Sequence, residues 1–179
     1  EDRVHDGWQG GLETVIIRPK AIFGPGDRSL LPNLVAVARR GGLPQIGNGR
    51  NLVDLTYVEN VAHALTLALE APAACGRTYH ITNDEHLLLW DVIRYVLSRL
   101  GLHLRRRRLP LPAALLAATL MEAQAQINGR PPRLTRYTVG ILARTQTYDI
   151  AAARADLGYR PLVAVAAGIE QTLRLWREA

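Results

Sequence analysis

By residue type, the group best suited to grip a small anion is Arg50, set in the loop Gly47-Asn48-Gly49-Arg50-Asn51. A guanidinium there can take a carboxylate or phosphate through two parallel N–H···O bonds. An arginine on a glycine-rich loop is equally at home in solvent. The sole lysine, Lys20, stands in Arg18-Pro19-Lys20-Ala21-Ile22-Phe23-Gly24-Pro25-Gly26-Asp27, a strand end giving way to turn formers. Asp54 and Asn60 lie at a strand-to-helix junction. Short polar side chains of this kind are expected to fix a loop by bonding its backbone rather than to meet a ligand. Cys75 is the only cysteine. It excludes an intrachain disulfide and a cysteine-cluster metal site, so no metal is expected. A reducing, cytoplasmic compartment is the simple expectation.

The elements that must hold these groups are read from periodicity. Thr14 to Ile17 is a β-branched apolar run, the mark of a strand covered on both faces in a parallel sheet, with Arg18-Pro19 ending it. Leu30, Leu31, Leu34, Val35 and Ala38 have helical spacing, with Gly41-Gly42 as the stop. Leu52 to Leu55 is strand-like. Thr56-Tyr57-Val58-Glu59 has the capping-box pattern, opening a helix with Val58, Val61, Ala62, Leu65 and Leu69 expected inward. Thr78 to Thr82 reads as another strand. Leu89, Val92, Ile93, Val96, Leu97 and Leu100 mark an amphipathic helix closed by Gly101.

Beyond Leu102 the chain turns more helical. A basic stretch, Arg105 to Arg108, leads to a helix from about Pro112 to Gln126, and a further helix is expected within Leu134 to Leu142. A short helix capped by Asp149 and ended by Gly158 follows, then a last one from Val165 to Trp176 with Val165, Ile169, Leu173 and Trp176 inward. The first strand needs parallel neighbours on both sides, and this chain supplies about one.

The segments Arg18 to Asp27 and Gly47 to Val61, then Tyr148-Asp149, Leu157-Gly158-Tyr159-Arg160-Pro161 and Gly168-Ile169, resemble in that order the extended short-chain dehydrogenase/reductase family of the NAD-dependent epimerase/dehydratase superfamily. Pro131 to Tyr137 is similar to the 3β-hydroxysteroid and sterol dehydrogenase branch, which includes bacterial reductases of long-chain 2-alkyl-3-oxo acids. The resemblance implies an α/β fold: the carboxy-terminal part of a Rossmann-like parallel sheet plus a smaller, mainly helical substrate-binding lobe. Residues 1–101 would be the remainder of the dinucleotide-binding domain, interleaved with substrate-loop elements. Residues 102–179 would be mainly the substrate-binding lobe with the carboxy-terminal helices.

It further implies NAD or NADP as cofactor. Pro19, Lys20, Ala21 and Ile22 would lie against the nicotinamide ring, and Phe23, Asp27, Leu31, Arg50 and Tyr57 on the substrate side. A proline suits the ring's surroundings because it fixes φ and offers no competing donor. Nucleotide-sugar epimerases and dehydratases of the superfamily carry Asn and Arg where this chain has Ala21 and Val53. Loss of that Arg removes a diphosphate clamp and turns the expectation toward a hydrophobic substrate, a sterol or a 3-oxo/3-hydroxy acyl compound. The apolar helix from Pro112 to Met121 would line or cover its cleft.

Such enzymes also need a Gly-rich turn for the pyrophosphate and a Tyr-x-x-x-Lys pair whose lysine lowers the tyrosine pKa for proton exchange. Neither is here: Ile16 stands four residues before Lys20, and no G-x-G-x-x-G occurs. The chain is therefore expected to be the carboxy-terminal half of an NAD(P)-dependent oxidoreductase. It would be inactive without its missing amino-terminal half, which binds most of the cofactor, and it would hold no catalytic residue. A nucleotide-sugar epimerase or dehydratase half is the rival within the superfamily.

A non-catalytic basic module for nucleic acid or a membrane surface is the rival outside it, suggested by the net charge of +6 and pI near 10.1. Arginines scattered on helix exteriors among acidic residues argue against a nucleic-acid partner. The uncharged stretch Leu109 to Met121 is 13 residues long with two prolines, short of the roughly 20 apolar residues of a membrane span. Peripheral contact of Arg105 to Arg108 with anionic lipid, and a homodimer, stay open.

Overall fold

The computed structural model describes residues 1–40, 44–103, 108–132 and 134–178. In chain order the elements are α1 (Asp2–Gln9), β1 (Ile16–Pro19), β2 (Ile22–Phe23), α2 (Leu30–Arg39), β3 (Gln45–Ile46), β4 (Leu52–Val53), β5 (Thr56–Tyr57) and α3 (Val58–Glu70). After a 3-10 turn at Pro72–Ala74 come β6 (Thr78–Ile81), β7 (Leu87–Leu88), α4 (Leu89–Arg99), β8 (Arg108–Leu109), α5 (Leu111–Asn128), α6 (Arg136–Ala143), α7 (Ala151–Leu157) and α8 (Val165–Glu178). They divide into two compact units, each drawn from separate stretches of chain. The first is Glu1–Leu31, Asp54–Glu85 and Tyr148–Ala179; the second is Pro32–Val53 and His86–Thr147.

In the first unit β1 and β6 run parallel, Ile16 opposite Thr78 and Pro19 opposite Ile81. The strand begins at Ile16 rather than Thr14 and ends at Pro19 as expected, with the proline itself still within the ladder. The ladder explains why. The amides of Ile16 and Lys20 donate to Arg77 O and Ile81 O at 3.0 and 3.1 Å, so alternation turns position 19 toward the opposite edge. Pro19 therefore lacks a donor only where β6 asks for none. Among the described residues β6 is the one strand paired with β1. Val15 and Ile17 pack on a core that includes Ala64, Tyr79, Ile81, Ile150, Leu157 and Tyr159.

Helix α3 turns a different face inward from the one its large apolar residues suggest. Asn60, Ala64 and Ala68 are buried, while Val58, Leu65 and Leu69 are exposed, Leu69 at 89%. Small side chains go to the core because they let the helix axis approach its neighbours closely. On α8, Val165, Ile169 and Leu173 are buried as expected, but Trp176 is exposed. Helix α1 occupies a glycine-punctuated polar stretch where periodicity suggests none; its Trp8 ring lies so close to Gly76 that any Cβ there would stand 2.6 Å from it. The α7 cap is one residue later than expected: Ile150 is the flanking residue, and Asp149 Oδ1 accepts from Ala151 N at 2.7 Å.

The Asp156 carboxylate accepts from Arg77 at 2.6 Å and from the Tyr79 hydroxyl at 2.9 Å. These two bonds, Arg77 first, hold its pKa below the ordinary 3.8. A depressed carboxyl contributes stability that is present above its ordinary value and lost as pH falls through the lower, folded one. The melting temperature is expected to fall more steeply below about pH 3.8 in the native chain than in Asp156→Asn. Parallel acid limbs in the two proteins would contradict this.

The second unit pairs β3 with β8 in parallel and β4 with β7 antiparallel. Its core holds Ile46, Trp90, Ile93, Leu97, Val139 and Leu142, with Ala114 and Ala118 of α5. The Trp90 indole, sealed at 1% exposure, donates to Leu142 O at 3.1 Å, which satisfies its one polar atom. Gly129 ends α5 in a left-handed conformation, φ +63°, and Thr135 caps α6 by accepting from Thr138 N. Of the basic run, Arg108 opens β8; Arg105 to Arg107 and the Gly41-Gly42 stop lie outside the described residues. Among the described residues no helix is long and apolar enough to cross a membrane.

Candidate functional site

Parallel strands of an α/β sheet present ligands with the crevice beyond their carboxyl ends. In the first unit that edge is where β1 and β6 stop, at Pro19 and Ile81, and the chain leaves as Lys20–Ala21 and Thr82–Asn83. Both departures are tied down by buried polar side chains. The Thr56 hydroxyl lies 2.5 Å from Lys20 O and 3.1 Å from Ile81 O, so its single proton bridges the two strand ends. Thr56 N donates to Ala21 O at 3.3 Å. Thr56 is thus no helix cap. The N-cap of α3 is Tyr57, without a side-chain bond, because the Thr56 hydroxyl is spent on carbonyls brought together by the sheet.

Ala21 sits at φ +44°, a left-handed conformation rare for a residue with a Cβ. Local strain of this kind persists only where the surroundings over-determine it. Here the Lys20 amide and the Lys20 and Ala21 carbonyls are all bonded.

Behind this crest lies an asparagine pair. Asn83 Oδ1 accepts from Tyr57 N and Asn60 Nδ2 at 2.9 and 2.8 Å, and Asn83 Nδ2 donates to Val163 O. Asn60 Oδ1 accepts from Leu162 N and Val163 N at 2.8 and 3.0 Å, while its Nδ2 also reaches Val163 O. Asp54 Oδ2 accepts from Tyr148 N at 2.7 Å. Asp54 and Asn60 therefore do what their positions suggest: they fix backbone. The Tyr148 ring so held lies beneath Lys20, whose Nζ is 5.2 Å from the ring centroid, and beside His80, with centroids 4.9 Å apart. A cation over a ring face is a favourable, orienting contact.

Of the residues expected to meet cofactor or substrate, the structure brings Pro19 to Phe23 and Tyr57 together through the β2–β5 pair, Ile22 opposite Thr56 and Phe23 opposite Tyr57. Pro19, Lys20 and Ala21 are half-buried, and Ile22 is exposed. Phe23 and Tyr57 are buried, ring centroids 5.5 Å apart, under Gly168 of α8, where a Cβ would lie 2.6 Å from the Tyr57 ring. The Tyr57 hydroxyl donates to Gln171 Oε1 at 2.5 Å; burial, and then Glu59, push its pKa up. Asp27 accepts from the amides of Ser29, Leu30 and Leu31 and so opens α2, with the Leu31 side chain buried. Arg50 is exposed in the second unit, its amide bonded to Asn48 Oδ1 at 2.9 Å.

Thr56, Asn83 and Tyr148 play parts here that the sequence did not give them. Asn83 had a local signal, the polar run Thr82-Asn83-Asp84 directly after a strand. Tyr148 stood in one of the segments that carry the family resemblance, but its tie to Asp54, 94 positions away, had no local signal. Tyr159, buried with its hydroxyl on Thr82 O at 3.0 Å, has its pKa pushed up to about 12 by burial, which marks it as structural. Among the described residues no cluster of three or more His, Cys, Asp or Glu could hold a metal.

A nicotinamide dinucleotide fits this crest at one end. Pro19, Ala21 and Ile22 offer apolar surface on a main chain pinned from behind, suited to the face of a ring. The sequence holds no Gly-rich turn for the pyrophosphate.

The fold is shared with solved structures. An epimerase from Methanothermobacter thermautotrophicus aligns over 99% of this chain and 47% of its own at a TM-score of 0.68 and 21% identity. A dTDP-glucose 4,6-dehydratase from Streptomyces venezuelae, solved with NAD, aligns over 98% of this chain and 47% of its own at 0.66 and 21%. The architecture is thus a Rossmann-like α/β fold. The chain belongs to the 3-beta hydroxysteroid dehydrogenase/isomerase family, whose pattern matches residues 2–112.

Curated relatives include a 3beta-hydroxysteroid-dehydrogenase/decarboxylase of Arabidopsis thaliana, 40% identical over 92% of this chain and 32% of its own length. A decarboxylating sterol-4-alpha-carboxylate 3-dehydrogenase of Mus musculus is 35% identical, over 90% and 47%. A 2-alkyl-3-oxoalkanoate reductase of Stenotrophomonas maltophilia is 35% identical, over 96% and 54%. The chain thus spans about a third to about half the length of these relatives.

Proposed function

We propose that this chain is the carboxy-terminal half of an NAD(P)-dependent dehydrogenase/reductase acting on a secondary alcohol or ketone of a hydrophobic substrate, a sterol or a 3-oxo/3-hydroxy acyl compound. The observation that carries the reading is similarity along nine-tenths of the chain to enzymes named for that chemistry on such substrates. The Tyr-x-x-x-Lys pair and the Gly-rich turn would come from an amino-terminal half, since this sequence contains neither. The chain alone would then be inactive.

When bound, the cofactor supplies hydride transfer. The part of these residues is positional. Thr56 locks the Lys20–Ala21 main chain, Pro19, Ala21 and Ile22 give the ring an apolar, water-excluding face, and Tyr148 orients the Lys20 side chain. The second unit, with the largely apolar α5, would contain most of the substrate lobe.

The test is reconstitution. This chain, co-expressed with the amino-terminal segment of its own protein, is expected to enhance and shift NADH or NADPH fluorescence. The pair is also expected to oxidise the reduced cofactor with a 2-alkyl-3-oxo acid or a 3-oxosteroid, while the chain alone does neither. Turnover of a dTDP- or UDP-sugar by the pair, with no response to acyl or steroid ligands, would move it to the nucleotide-sugar branch.

A further inference from the structure

Charge is divided unevenly between the two units. The second contains 13 arginines and no lysine against two carboxylates, Asp91 and Glu122, a net of +11. The first holds nine basic and 14 acidic residues, a net of −5, and the two nets make up the +6 of the chain. Both carboxylates of the second unit are engaged, Asp91 with Arg94 and Glu122 with Arg136. Acidic residues interleaved with arginine, which weaken a grip on a polyanion, are thus a feature of the first unit and not of the second.

The fold gathers four of these arginines at one edge. β3 and β8 run parallel with Gln45 opposite Arg108, so Arg108 stands at the amino edge of the pair. Helix α2 ends at Arg39, with the Arg40 amide still bonded to Ala36 O, and only residues 41–44 separate it from β3. Helix α4 ends at Arg99, where the Leu102 amide closes back on Leu97 O, and the chain goes on to β8. Ala38, Leu97, Leu102 and Leu109, close to these arginines in the chain, pack into one core with Ile46 of β3. Arg39, Arg40, Arg99 and Arg108 are all exposed. A cation in the last turn of a helix also suits its dipole, which accounts for Arg39 and Arg99 but not for Arg108. Tyr95 lies one turn before Arg99 on the same face of α4 and is 41% exposed.

We propose that this edge binds single-stranded nucleic acid without regard to sequence, its phosphates held by Arg39, Arg40, Arg99 and Arg108 and a base stacked on Tyr95. Residue type selects the occupant. A guanidinium meets a phosphate through two parallel N–H···O bonds and stacks on a base, whereas an acidic peptide is served as well by lysine, of which the unit has none. An exposed aromatic ring one turn from a phosphate contact is a platform for an unpaired base. A second copy offering the same basic edge would be repelled. This binding needs neither cofactor nor amino-terminal half, so it holds or fails apart from the dehydrogenase reading.

Fluorescence anisotropy of dye-labelled strands of mixed sequence, titrated with the full chain, tests it. RNA and DNA strands of about 20 nucleotides are expected to bind alike, since phosphates and base faces are common to both, and a duplex of the same length more weakly, because its bases are already stacked. Four phosphate contacts to a single strand give a log–log salt slope of about −3, so affinity should fall about fiftyfold between about 50 and 200 mM salt. Arg39→Gln, Arg40→Gln and Arg108→Gln together should make that slope shallower by about 2. Arg50→Gln, Arg130→Gln and Arg144→Gln, which remove the same charge from elsewhere in the unit, should leave it nearly unchanged. Tyr95→Leu should cost at least about fivefold in affinity and Tyr95→Phe should restore it, in variants that melt near the native temperature. Four results would each overturn the proposal: no binding at about 50 mM salt, a preference for duplex, equal effects of the two triple substitutions, or native affinity in Tyr95→Leu. Polyglutamate or anionic vesicles that displace the strand at equal charge would give the edge to an acidic protein or a lipid surface instead.

Discussion

Asn60→Ala is expected to lower stability by about 3 kcal/mol, because it strips the partner from two backbone donors at once. The Leu162 and Val163 amides both bond to Asn60 Oδ1. Val163 O and Asn83 Oδ1, which also receive Asn60 Nδ2, keep second partners in Asn83 Nδ2 and Tyr57 N. The loss is thus concentrated on two orphaned N–H groups, each costing about 1–3 kcal/mol when buried. Leu162 is largely exposed, so water can relieve part of its share. For a chain of this size the melting temperature should fall by about 6–12 °C. Asn60→Asp keeps the acceptor for both amides but sets an oxygen against Val163 O and Asn83 Oδ1, and should fall between. A loss under about 1 kcal/mol in Asn60→Ala, by thermal or urea unfolding, would show that the pair is not what holds the residues 162–163 turn.

Substitutions at Ala21 should change stability in opposite directions. With φ at +44°, a Cβ costs about 1–2 kcal/mol, a penalty that glycine escapes and asparagine tolerates. Ala21→Asn and Ala21→Gly are therefore expected to raise the melting temperature by a few degrees, with glycine's gain trimmed by its greater freedom when unfolded. Ala21→Val puts a β-branched side chain at positive φ, an outlier conformation, and should cost about 2–3 kcal/mol. The related nucleotide-sugar enzymes carry Asn at this position, which suits a left-handed residue. This chain holds Ala in that conformation by bonding Thr56 to Lys20 O and Ala21 O, the carbonyls on either side of the Ala21 Cα. Equal melting temperatures for all four proteins would mean that the backbone at position 21 is not left-handed in solution.

The sequence made the repeating parts legible. The β-branched run around Ile16 and Ile17, the spacing of α4 and the glycines that end α4 and α7 all carry local physics that survives into the structure. What it hid follows from long-range packing. In α3 periodicity pointed to the face of large apolar residues, and in α5 hydrophobicity runs around most of the helix; in both the core took the alanines. Thr56 and Glu59 have capping-box spacing, yet the hydroxyl goes to carbonyls that only the β1–β6 and β2–β5 pairs bring near. At the site, Asp54 and Asn60 were legible as backbone fixers from type and place. Their partners at Tyr148 and Val163 were not, lying 94 and 103 positions away.

Those two spans bear on the order in which the chain can mature on a ribosome. The continuous stretch His86–Thr147 supplies most of the second unit and can begin to compact as soon as it emerges. The first unit cannot: Asp54 and Asn60 must wait, already synthesised, for Tyr148 and Val163 to be made. Until then the strand pair around Ile17 lacks the cover of α7, and nascent chains in that interval are the ones most in need of a chaperone.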